Sequence, residues 1–154
     1  LLHPTDVAPG APNHAYTDQF DHVFTYALYP HRGDLVEGGV VQAGYELNVP
    51  LRIVPLASRA GTAPAELSFV AVDASNVIIE AVKKAEDDDG IIIRLYEAAQ
   101  RSAAATLRFG IPVQSAAAVN LMETHIASVP VQADTITLYF RPFEIKTIKV
   151  WLKQ

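Results

Sequence analysis

Cysteine is missing from all 154 residues. Disulfides and thiolate metal sites are therefore excluded, and the composition fits a cytosolic protein. Positive charge is in short supply: 12 Lys and Arg stand against 17 Asp and Glu, for a net charge of −5 and a pI near 5.4. No basic face is evident that could neutralise phosphates, which argues against nucleic acid as a partner. No apolar run approaches the ~20 residues of a spanning helix, and no charged segment followed by an apolar core marks a leader. A glycine-rich phosphate loop, G-x-S-x-G and HExxH are all lacking. The five histidines, His3, His14, His22, His31 and His125, include no i,i+4 pair. The residues thus nominate no catalytic group and no metal ligand.

What is present is hydrophobic: half the residues are apolar, enough for a core without staples. The clearest element is a β-hairpin from Asn76 to Ala98. Val77, Ile79 and Ala81 alternate with polar positions on one arm, and Ile91, Ile93 and Leu95 on the other. Glu86-Asp87-Asp88-Asp89-Gly90 supplies the turn. Three adjacent aspartates invite a calcium reading, but they lack the alternate acids and distant Glu of an EF-hand, so a solvated turn is expected.

The first 20 residues, rich in Pro and Gly, predict an irregular arm. Residues 22–29, HVFTYALY, are apolar on both faces and predict a covered strand ended by Pro30. Asp34 is placed to cap a short helix, with Glu37 completing a capping box, and the helix must stop before Pro50. The same Asp34 closes an Arg-Gly-Asp tripeptide, for which capping is the better use. Residues 51–56 read as extended, and residues 58–65 as a linker of small residues.

Beyond it, strand signals recur at short intervals: Leu67, Phe69 and Ala71; Ala105, Leu107, Phe109 and Ile111; Ala117, Val119 and Leu121; Ile136, Leu138 and Phe140. That pattern predicts a small antiparallel β-sandwich. In the last strand, Phe143 and Ile145 are one position out of step with Ile148, Val150 and Leu152, so a bulge is expected at Lys146-Thr147.

Three stretches carry a family resemblance. AVKKAEDDDGIIIRLYEA in the hairpin, FTYALYPHRGD from Phe24 and RPFEIKTIKVWL from Arg141 resemble segments of the C-terminal β-domains of family 38 glycoside hydrolases, the α-mannosidases, in the family's order. The resemblance implies an all-β fold in three parts. Residues 1–57, with the strand and one short helix, would close a larger mannosidase sandwich. Residues 58–65 would link it to a small C-terminal sandwich over 66–154. Leu1 in place of a methionine agrees with a piece of a longer chain.

The resemblance further implies a parent that hydrolyses terminal α-D-mannosides with zinc on a catalytic domain outside this sequence. The motifs for the metal ligands and nucleophile do not occur here, so no catalytic residue carries over and this chain alone is expected to be inactive. The expected partners are the parent's catalytic and helical domains, its mannoside substrate, and a second copy pairing along residues 22–29; no membrane partner is expected. A bacterial cytoplasm is the expected location. The alternative is a free-standing carbohydrate-binding β-sandwich.

Within RLYE, Arg94 and Tyr96 share one face, and Glu97 closes the core face, where it would need a partner. Arg94, Tyr96, Glu97 and, in YPHRGD, His31 are the candidate contacts to sugar or to a neighbouring domain, with interdomain anchoring preferred. Trp151 reads as a core plug before a sugar platform.

Overall fold

The hairpin forms where its alternation puts it. The computed structural model describes residues 21–55, 61 and 64–153. In it β2 (Val77–Lys84) pairs antiparallel with β3 (Ile91–Glu97), and the Ala85 N–H closes the turn on the Gly90 carbonyl. The register slips between Ile79 and Ala81, so Glu80 is the extra residue of a bulge and points to solvent.

Among the described residues, eight strands make two antiparallel sheets. The remaining strands are β1 (Val70–Val72), β4 (Ala103–Phe109), β5 (Val113–Val119), β6 (His125–Val129), β7 (Thr135–Phe140) and β8 (Ile145–Leu152). The smaller sheet runs β1-β4-β7 and the larger β2-β3-β8-β5-β6. Each pleat turns its apolar set inward. Leu107 lies opposite Ile136, Ile93 opposite Ile148, and Ile91 opposite Val150. Ile93, Leu95, Ala105, Leu107, Ile136, Phe140, Ile148 and Val150 fill the space between the sheets. Each large aliphatic side chain buried there contributes about 1.5–3 kcal/mol.

Several expectations need correcting. Residues 22–29 form no strand, and Val23, Phe24, Tyr26 and Leu28 are exposed. Residues 51–55 likewise have no regular structure; residue 56 and most of the linker fall outside the described residues.

The helix α1 spans only Val40–Asn48. Asp34 does cap, accepting from the N–H groups of Val36 and Glu37 at 2.9 and 2.8 Å, but it caps a turn. Gly39, at φ 67°, breaks the path, and α1 starts after it.

β1 begins at Val70, turning Val70 and Val72 toward the core in place of Leu67 and Ala71. Ile111 lies beyond the end of β4, and Leu121 lies past β5 in a turn where Asn120 accepts from the N–H groups of Met122 and Thr124. The bulge expected at Lys146-Thr147 is absent: β8 pairs with β3 without a slip from Ile145 to Val150. Phe143 sits before the strand at φ 57°, and Ile145 faces solvent, so nothing has to be re-phased. The slips lie instead at Gln114 on β5, against β8, and at Ile126 on β6, against β5.

Candidate functional site

The candidate residues divide between the two faces of β3. Glu97 follows Ile93 and Leu95 onto the core face and is fully buried. Its carboxylate is satisfied from three directions. Asn76 Nδ2 and the Ala99 N–H donate to Oε1 at 2.8 Å each, and the Phe143 N–H donates to Oε2 at 2.9 Å. Burial pushes the carboxyl up, but these donors, with the Arg101 backbone, outweigh it and hold Glu97 below its ordinary value. Glu97 therefore fastens three chain segments at the end of the sandwich.

Arg94 and Tyr96 lie on the opposite, outer face. Arg94 Nε donates to Thr147 Oγ1 at 3.4 Å, and the Tyr96 and Tyr45 hydroxyls are 3.3 Å apart. Burial first, then the Tyr45 hydrogen bond, raises the Tyr96 phenol to about 12. Both side chains are engaged within the chain, and Tyr96 joins α1 to the sheet. His31 stands apart in the turn before α1, exposed and stacked on Tyr29 with centroids 6.2 Å apart. The structure thus brings Arg94 and Tyr96 together, and keeps Glu97 and His31 separate from them.

Farther along the outer face, Ile92, Val119 and Ala85 form a second small apolar cluster. The acidic turn folds over it. Asp88 accepts from the Gly90 N–H at 2.7 Å and from Lys149 Nζ at 3.2 Å, while that ammonium lies 5.8 Å from the Trp151 ring centroid. Glu123, from the β5–β6 turn, accepts from the Glu86 N–H at 2.9 Å and pairs with Lys83 at 2.9 Å. The Glu86 N–H, then Lys83, holds the Glu123 carboxyl below its ordinary value. All four acids of the turn are exposed, as the solvated turn expected requires, and hydrogen bonds at Glu86 and Asp88 pin it to the sheet. Trp151 is half-buried beside Lys149.

An open groove of about 490 Å³ separates α1 from the hairpin, with Gln42, Tyr45 and Glu46 on one side and Val72, Ile78 and Glu80 on the other. Sequence reasoning missed it. The signal was the spacing of Gln42, Tyr45, Glu46 and Val49, which puts them on one helical face.

Residues 76–148 match the family model described as the glycosyl hydrolases family 38 C-terminal beta sandwich domain. The sandwich belongs to glycosyl hydrolase family 38. Over 152 residues, 95% of the chain, the sequence is 36% identical to alpha-mannosidase 2C1 of Homo sapiens and 35% identical to that of Mus musculus. It is 34% identical to alpha-mannosidase G of Dictyostelium discoideum over 139 residues, 86% of the chain. The chain spans 14% of the length of the first two relatives and 12% of the third. These relatives are eukaryotic and lend no support to a bacterial source. Among the described residues, no three His, Asp or Glu side chains converge to hold a metal ion. No helix among the described residues is long and apolar enough to cross a membrane.

Proposed function

We propose that this chain is the non-catalytic C-terminal region of a cytoplasmic α-mannosidase that hydrolyses terminal α-D-mannosides, and that it buttresses a zinc-dependent catalytic domain on other parts of the polypeptide. The observation that carries the reading is the similarity to α-mannosidases over 95% of the chain but only 14% of their length. In this reading residues 1–57 complete a larger sandwich built mostly by the parent, residues 58–65 are the linker, and residues 66–154 are the small sandwich. The exposed apolar side chains of residues 23–29 and 51–54 support it, because such surface needs cover. Backbone groups left without a ladder there would pair with the parent's sheet, and in its absence with a second copy.

The test compares the full-length parent with a version ending before this region, and with this chain alone, on an aryl α-mannoside. Turnover by the full-length parent, none by this chain, and loss of folded enzyme on truncation are expected. A truncated parent of full activity and unchanged melting temperature would refute the buttress role.

A further inference from the structure

Each sheet ends in two strands with one unpaired side, and these four edges are not equivalent. β2 is blunted by the Glu80 bulge and by Lys83 and Lys84, β6 is bent by its extra residue Ile126, and β1 has only three residues. β7 has none of these defences. It pairs with β4 without a slip and carries no charge from Thr135 to Phe140. The Asp134 carbonyl faces β4, accepting from the Phe109 N–H, and Thr135 faces the other way, exchanging both backbone bonds with Gln132. Alternation then turns the N–H and C=O groups of Thr137 and Tyr139 to the open edge.

We infer that this edge accepts a fourth strand, and that the strand is residues 23–29 of a second copy of this chain. The inference rests on the reading above that residues 22–29 are parted from their own sheet. Residues 23–29 carry no charge, and their Thr and Tyr side chains suit cross-strand pairing with the exposed Thr137 and Tyr139. The larger sheet has five strands against three, and β1 lies beside β2, so β7 falls short of β6 at the other margin. Of β6, only Val129 packs on the core. A strand added to β7 lies over β6, and Phe24, Tyr26 and Leu28, which share one face, cover it. α1 sits at the β1–β2 margin, so the segment before it stands away from β7 of its own chain, which makes a second copy the donor. Two reciprocal arms, each burying about 150 Å² per side chain at Phe24, Tyr26 and Leu28 and as much on the surface beneath, reach the ~1,200–2,000 Å² of a stable interface.

The test follows amide exchange and sedimentation of the 154-residue chain over a range of concentrations. Rising concentration should protect the Thr137 and Tyr139 amides together with those of residues 23–29, and Phe24→Asp with Leu28→Asp should remove the protection at Thr137 and Tyr139. Tyr139→Lys, at an exposed position, sets a charge on the edge and should weaken association about tenfold while the melting temperature of the dilute chain stays put. Thr137→Pro, which deletes one edge N–H, is the second variant, and Val82→Lys on β2 is the control that should leave association unchanged. Association that protects residues 23–29 but not β7, or that survives both β7 variants, would overturn the acceptor edge. Protection of Thr137 and Tyr139 at every concentration, or a chain that stays monomeric, would overturn the second copy as donor. These outcomes are separate from the truncation assay on the parent: full activity and an unchanged melting temperature there would remove the buttress role and leave the β7 edge to be judged by exchange alone.

Discussion

At the residue scale, Glu97 binds three segments of the chain together. A carboxylate with no exposed surface survives only when its oxygens are occupied, and Asn76, Ala99 and Phe143 occupy them. Glu97→Gln keeps the shape but turns an amide N–H₂ toward backbone donors. The expected cost is about 2 kcal/mol in a urea melt near neutral pH; an unchanged midpoint would remove Glu97 from this role. Its pH dependence has a definite sign. The folded value lies below the ordinary 4.5, so the stabilisation is present above that value. It is lost as pH falls from 4.5 through the lower folded value, and the gap between wild type and Glu97→Gln should narrow over that range. The parity of RLYE was enough to put Glu97 on the core face. Its partners were illegible, since Asn76 and Phe143 are 21 and 46 residues away and meet it only through the pairings of β3 with β2 and β8.

At the scale of elements, alternation located β3, β4 and β7 because each has one face on the core. It failed for β6, an edge strand whose residues are exposed from His125 to Ser128 and which therefore carries no hydrophobic period. It misjudged β8 for the opposite reason. This strand is central, and Thr147, Ile148, Lys149 and Val150 are buried in succession, so both faces are covered and no period of two remains. The cover on its outer side is the acidic turn, and the clamp that holds it is testable. Glu123→Gln removes the charge facing Lys83 and weakens the acceptor for the Glu86 N–H. Faster amide exchange at Glu86 is expected, with exchange of the core strand β4 unchanged; protection at Glu86 equal to wild type would show that the clamp is idle. The helix gives a second test. Gly44 lies inside α1 with no atom within 4 Å of an added Cβ, so Gly44→Ala should stabilise the helix by about 1 kcal/mol. Gly39→Ala should loosen the same helix, because φ 67° is strained for any residue with a Cβ. Amide exchange over Val40–Asn48 reads both signs.

At the scale of the whole molecule, the sandwich and the segment before it are built to different standards. Among the described residues, the core contains none before Phe69, and α1 buries none of its own side chains. Of the 20 exposed large apolar side chains among the described residues, 13 precede β1. A chain that meets its core requirement with residues 69–152 gains little stability from the rest, yet bears the apolar surface that the rest exposes. Residues 64–154 alone should therefore fold, with a melting temperature within about 5 °C of the full chain, the shift that roughly 1 kcal/mol produces in a domain of this size. The full chain should self-associate in sedimentation experiments where the shorter one stays monomeric, and Phe24→Asp with Leu28→Asp should suppress that association without moving the melting temperature. If residues 64–154 failed to fold, the earlier segment would belong to the stability of the sandwich itself; if the full chain stayed monomeric at high concentration, the apolar surface of residues 23–29 would not be the adhesive one.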